Sequence, residues 1–232
     1  KVVRKALKIA GIPALLWGRP GKRCIVAVHG SQSSKEDAAI AMVARYGELK
    51  GAQVLSFDLP GHGERRSQPC KFAECAADFK QVTDYARGIW GEIDLFGISL
   101  GAYLGLTATA DAGWKRAWLL SPVVDMEGLV ESMLRQNRID AAQLEQRRIV
   151  EAADGQPIYW EDYCYVREHP IEQWPVTTSI LCGGKDALCP RDTIESFAAR
   201  FGCQLEVAPD APHYFHTEEH MTLLGKWLEE NL

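Results

Sequence analysis

The chain has 232 residues, 47% of them hydrophobic and 25% charged, with a net charge of -5. That length and balance fit one large domain, or a domain carrying an inserted segment, around a packed core. The acidic balance gives no electrostatic basis for binding nucleic acid or an anionic membrane, and no apolar run is long enough to span a bilayer.

The first 17 residues are basic and then apolar, in the manner of a signal peptide. Lys8 and Pro13 interrupt the apolar part, however, and no small-residue cleavage site follows. Two opening antiparallel strands are expected instead, over residues 4–10 and 13–18. Because the chain opens on Lys rather than Met, a few native residues are expected ahead of it. Cys24-Ile25-Val26-Ala27-Val28 is a buried-type strand ending at His29-Gly30. Ser34, with Asp37 three residues on, forms a capping-box-like start to a helix running to about Lys50. Residues 53–57 form the next strand, ending at Asp58. The turn Leu59-Pro60-Gly61-His62-Gly63 follows, and its glycines are expected to serve turn geometry alone. Residues 72–90 carry apolar side chains at helical spacing. Residues 92–96 are a strand, residues 116–120 another and residues 179–182 another, the last ending at Gly183-Gly184-Lys185-Asp186. A helix over 193–201, a strand over 204–208 and a closing helix over 217–231 complete the chain.

Strands alternating with helices predict an α/β fold, a mostly parallel sheet with helices on both faces. Ligands of such sheets bind at the carboxyl ends of the strands. His29, Asp58, Ser99, Asp125 and Asp186 each come just after a strand, and His213 follows the last one. One segment breaks the alternation. Residues 125–175 contain no clear strand, look helical and charged over 126–153, and are aromatic at Tyr159, Trp160, Tyr163 and Tyr165. A lid inserted between two strands is expected there, leaving 1–124 and 176–232 as the core domain.

Seven cysteines, an odd number with no C-x-x-C pair, point to reduced thiols and a cytoplasmic setting. Cys24, Cys182 and Cys203 lie in strand-like runs and are expected to pack in the core. Cys70 and Cys75 are close enough in sequence to pair or to share a metal, but no set of histidines completes zinc spacing, so no metal or cofactor is expected.

The decisive motif is Gly97-Ile98-Ser99-Leu100-Gly101, set between the apolar run Ile93-Asp94-Leu95-Phe96 and the helix-like run Ala102-Tyr103-Leu104. Strand, sharp turn and helix with glycines flanking a serine describe a nucleophile elbow. A serine hydroxyl needs a base to take its proton, and the base needs an acid to hold its tautomer. Asp186 is the leading acid, with Asp125 the rival and Asp210 too close to the histidines. His213 is the leading base, with His216 and His220 close behind it. The oxyanion donors are expected to be the backbone N–H groups of Leu100 and Ser31. Gln32 is a candidate substrate contact, as are Tyr159 and Trp160 in the lid. His29 is expected to shape its loop, and His62 stands in the wrong chain order for a base.

With these pieces in order, the chain resembles the α/β-hydrolase superfamily. The matching segments are His29-Gly30, Asp58-Leu59-Pro60-Gly61-His62-Gly63, Gly97 to Gly101, Gly184-Lys185-Asp186 and Ala211-Pro212-His213-Tyr214-Phe215, spread over nearly the whole chain. The resemblance implies an eight-stranded sheet with a helical cap after strand six, and the roles Ser99 nucleophile, Asp186 acid and His213 base. Ile98 stands where many members carry His. The short His29-Gly30-Ser31 loop speaks against the lipase-like His-Gly-Gly-Gly branch. A serine nucleophile, not Asp or Cys, disfavours the dehalogenase, epoxide hydrolase and dienelactone hydrolase branches. The expected activity is hydrolysis of a small or medium carboxylic ester, a small-molecule acyl substrate, without a metal. The same triad also serves thioesters, lactones, amides and C–C bonds. A ligand-binding protein on the same scaffold is the third reading.

Overall fold

The computed structural model describes residues 2–232. The chain opens with β1 (Arg4–Ile9) and β2 (Ile12–Trp17), an antiparallel pair. β2 then runs antiparallel to β4 (Ala52–Phe57). From there every pairing is parallel: β4, β3 (Arg23–Val28), β5 (Glu92–Ile98), β6 (Arg116–Leu120), β9 (Thr177–Gly183) and β10 (Gln204–Ala208). β3 and β4 are almost wholly buried, which is why they read as unbroken apolar runs. β1 lies at the sheet edge and carries Arg4, Lys5 and Lys8, charges that discourage pairing with another chain.

The two-residue period of the strands divides the core in two. Ile25, Ala27, Val54, Phe96 and Trp118 pack with α1 (Ala38–Leu49) and α8 (Glu218–Asn231) through Ile40, Val43, Leu224 and Trp227. Their neighbours Val26, Val28, Leu55, Leu95 and Leu119 pack on the other side with α2 (Phe72–Ile89), α3 (Leu100–Thr107) and α7 (Arg191–Phe201) through Phe79, Leu104 and Ile194.

The helix expected from Ser34 starts later. Asp37 is itself the N-cap, accepting from Ala39 N–H at 2.8 Å, while the Ser34 carbonyl closes a turn onto Asp37 N–H. Cys203 precedes β10 and is half-buried, whereas Cys24 and Cys182 are buried within strands as expected.

Residues 125–175 also differ from expectation. The helical stretch is two helices, α4 (Met126–Gln136) and α5 (Ala141–Arg147). Asn137 ends the first and Arg138 turns the chain at φ 56, after which Asp140 and Gln143 open the second with a reciprocal capping box. A short hairpin follows, β7 (Ile149–Glu151) with β8 (Pro157–Tyr159), and then α6 (Trp160–Glu168). This segment rests on α2 and α3. Asp162 accepts from Phe72 N–H at 2.8 Å, Tyr103 Oη donates to the His169 carbonyl at 2.9 Å, and the Phe72 ring meets Tyr103 and Tyr165.

Burial pushes the Asp162 carboxyl from its ordinary 3.8 up to about 7, against the opposing pull of Phe72 N–H. Between those values the folded chain holds a proton that the unfolded chain has lost. Stability therefore falls as pH rises through that window and levels above it. Asp162→Asn keeps a carbonyl acceptor for Phe72 and cannot ionise. It is expected to flatten this slope and to exceed the parent in stability at pH 8 by about 4 kcal/mol, read by urea unfolding at several pH values. An equal slope in both proteins would place its origin elsewhere.

Candidate active site

β3 is paired with β4 on one side and β5 on the other, so the chain reverses its order of strand addition there. The crevice at the carboxyl ends of β3 and β5 is the topological switch point of the sheet. Ser99 sits in it, between the end of β5 and the first turn of α3.

Ser99 has φ 51 and ψ -112, a conformation costing about 1–3 kcal/mol for a non-glycine residue. Its flanks show why they are glycine. A Cβ on Gly97 would lie 2.7 Å from Ala102 Cα, and one on Gly101 would lie 2.5 Å from the Val28 carbonyl oxygen and 2.6 Å from that of His29. The helix packs directly on the backbone of β3, and that contact holds the turn. Ser99 N–H donates to the Leu120 carbonyl at 3.1 Å.

The Ser99 hydroxyl lies 2.8 Å from His213 Nε2. His213 Nδ1 lies 2.7 Å from Asp186 Oδ2. An ionised carboxylate only accepts, so Nδ1 carries the proton and Nε2 is free to accept from Ser99. The other Asp186 oxygen accepts from Leu188 N–H at 2.8 Å and Cys189 N–H at 3.0 Å, which anchors the carboxylate in the loop after β9. Its side chain is 3% exposed and that of His213 18%. A solvent path thus reaches the histidine while the acid is shielded.

The rivals are engaged elsewhere. Asp125 caps α4, accepting from Gly128 N–H at 2.9 Å. His216 Nδ1 donates to the Tyr214 carbonyl, and its ring stacks on Tyr214 at the surface. His220 reciprocates the Thr217 cap of α8 and is half-buried against Phe215.

The loop after β3 lies against the serine, because a Cβ on Gly30 would stand 3.1 Å from Ser99 Cβ. Ser31 follows Gly30, and Leu100 follows Ser99. Among the hydrogen bonds of the described residues neither of their backbone N–H groups has an acceptor. Leu100 is the first residue of its helix, where amides lack an intrahelical partner. Two histidines shape this loop. His29 is fully buried, which lowers its pKa to about 4 and keeps it neutral; Nδ1 donates to the Gly30 carbonyl at 2.7 Å and Nε2 accepts from Leu59 N–H at 3.1 Å. His62 accepts Gln32 N–H at 3.0 Å on Nε2 and faces the Pro60 carbonyl with Nδ1. The turn containing His62 therefore has more than turn geometry to do, because it fixes Gln32 at its left-handed φ of 64.

Ser121 went unnoticed in the sequence. It is buried, it follows β6 directly at φ 45, and its hydroxyl donates to the His213 carbonyl at 2.7 Å. A serine ending a strand, in Leu120-Ser121-Pro122, was the available signal. Tyr159 and Trp160, within residues 125–175, are half-buried. Tyr159 lies under Lys71 and Trp160 against Tyr163, and no hydrogen bond or ring contact joins either to Ser99, His213 or Asp186. Among the described residues no group of three or more His, Cys, Asp or Glu side chains is arranged to hold a metal ion, and no helix is long and apolar enough to cross a membrane.

A mostly parallel eight-stranded sheet, with helices on both faces and a serine at the β5–α3 turn, is the α/β-hydrolase fold. The model of the alpha/beta hydrolase family matches residues 25–224, and the chain belongs to that family. None of the curated proteins matches it in sequence. Among solved structures it is similar to Est1E from Butyrivibrio proteoclasticus with ferulic acid bound, at 18% identity over 97% of this chain and 96% of that one, TM-score 0.82. Alpha/beta hydrolase domain-containing protein 10 from mouse is 17% identical over 98% and 97%, TM-score 0.79. A cold-adapted esterase from an Arctic intertidal metagenomic library is 19% identical over 99% and 93%, TM-score 0.62. At such identities these likenesses speak to the fold.

Proposed function

We propose that this hydrolase cleaves small or medium carboxylic esters through an acyl-enzyme on Ser99. The observation that carries the reading is the continuous hydrogen-bond line from Ser99 Oγ through His213 to Asp186, beside two backbone amides without acceptors. Ser99 Oγ attacks the ester carbonyl as its proton passes to His213 Nε2. The N–H groups of Ser31 and Leu100 hold the oxyanion. The carbon–oxygen bond to the alcohol breaks, and the alcohol leaves with the proton from His213. Water then attacks the acyl-enzyme, giving its proton to the same nitrogen, and the acid departs as Ser99 regains its hydrogen. Asp186 stays ionised and steadies the imidazolium. Ser121 holds the histidine's backbone and positions it. Residues 125–175 form a lid over this crevice, with Tyr159 and Trp160 offering apolar surface to the acyl or alcohol group. Gln32 contacts substrate at the mouth.

A fluorophosphonate probe is expected to label Ser99, identified by peptide mass spectrometry, and to fail in His213→Ala. Asp186→Asn misorients the imidazole and is expected to lower kcat by roughly 10²–10⁴-fold with KM little changed. Folded protein that stays unlabelled, or labelling at another serine, would refute the reading. The substrate panel sets p-nitrophenyl esters and aryl carboxylic esters beside thioesters, lactones and amides. Ferulate esters belong in it because Est1E was solved with ferulic acid bound.

A further inference from the structure

Two cysteines stand close together beside the turn that carries Gly61 and His62. Cys70 Sγ is 3.6 Å from Cys75 Sγ. Cys70 is half-buried, one residue before the Lys71 N-cap of α2, and Cys75 is fully buried in the first turn of that helix. The other five cysteines have no such thiol contact among the described residues. The two sulfurs divide the chemistry between them. The Cys75 thiol, donating to Cys70, holds Cys70 well below the usual thiol range, and the same bond together with burial pushes Cys75 far up. The more accessible sulfur is thus the one that ionises more readily, and the enclosed one stands beside it.

We propose that Cys70 and Cys75 form a modification site for hydroperoxides, a dithiol that closes reversibly into an intramolecular disulfide. The Cys70 thiolate attacks one peroxide oxygen. The O–O bond breaks, the other oxygen leaves as hydroxide and takes up a proton to become water, and Cys70 becomes a sulfenic acid. The thiolate that held the Cys75 proton is then gone. Cys75 sulfur attacks Cys70 Sγ, the S–O bond breaks, and the oxygen leaves with that proton as a second water. With hydrogen peroxide, two thiols and one peroxide give one disulfide and two waters, with two electrons passing from sulfur to peroxide oxygen; an organic hydroperoxide gives its alcohol in place of the first water. A small dithiol reductant reverses it. Closing the bond draws the sulfurs about 1.5 Å together, toward the ~2.05 Å of a disulfide.

The test is a covalent readout on the reduced full chain, independent of turnover at Ser99. The protein is treated with stoichiometric hydrogen peroxide, alkylated with iodoacetamide and cut with trypsin. Cleavage after Lys71 separates the two cysteines into peptides 67–71 and 72–80. The expected product joins them, lighter by two hydrogens than their sum, and dithiothreitol parts them. In untreated protein at pH 6, Cys70 is expected to be alkylated at least about tenfold faster than the other cysteines. Cys75→Ser is expected to leave Cys70 as a sulfenic acid trapped by dimedone, and Cys70→Ser to leave Cys75 unmodified. Joined peptides and a dimedone adduct on Cys70 support the site. Unlinked peptides after peroxide is consumed, or equal alkylation of Cys70 and the buried thiols, overturn it.

Discussion

Ser99→Ala is expected to lower kcat for a short-chain p-nitrophenyl ester by a factor on the order of 10⁴–10⁶ while leaving the melting temperature unchanged or raised. The factor corresponds to about 5–8 kcal/mol of transition-state stabilisation. It is large because the proposed mechanism uses Ser99 and His213 as a unit. Without the hydroxyl, the imidazole oriented by Asp186 has no nucleophile to activate. The two backbone amides remain, so residual hydrolysis above the uncatalysed rate is expected. The stability expectation has a separate origin. Ser99 is held at φ 51, and a shorter side chain there removes no core contact. Turnover of Ser99→Ala within tenfold of the parent would sink the acyl-enzyme reading outright.

The second large effect is structural. Gly101→Ala adds one methyl group where two backbone oxygens, those of Val28 at the end of β3 and of His29 just after it, already stand 2.5 and 2.6 Å away. Neither oxygen belongs to a flexible side chain, so α3 or the end of β3 must move, and the elbow moves with it. A loss of about 3–5 kcal/mol is expected, a fall in Tm on the order of 10 °C. Gly88→Ala is the matched control. The same methyl group on α2 meets nothing within 4 Å, and it removes glycine's extra freedom in the unfolded chain. A gain of about 0.5–1 kcal/mol is expected there. Thermal melts of the two variants should therefore shift in opposite directions. Parallel shifts would mean that the packing of α3 on β3 does not hold the elbow.

The core strands and helices were readable because their signals are local. Val28, Leu55 and Leu119 lie in runs apolar enough to require burial on both faces of a sheet. The inserted segment was read less well. β7 and β8 are three residues each, too short to display a period, and they exist because they pair with one another. The first turn of α1 was misread for a similar reason. Ser34 and Asp37 both have N-cap chemistry, and the choice fell to Asp37 once Ser34 was drawn into the preceding turn.

The sequence by itself determined the elbow. Gly97, Ser99 and Gly101 lie within five residues, and their geometry depends on the strand and helix adjoining them. It also placed Asp125 and Asp186 just beyond strands and His213 after the last one. Which of them meet was decided by tertiary structure alone. Ser99 and His213 are 114 positions apart, and Ser121 and His213 are 92 apart. Both contacts depend on the order β5-β6-β9-β10, which sets the loops after β9 and β10 on the same edge as the elbow. Asp125 stands at the same edge, yet its carboxylate is taken by the N-terminus of α4, through a bond that spans three residues. Capping and turn signals act over three or four residues. A hydrogen bond across a hundred is specified only when the sheet has been assembled.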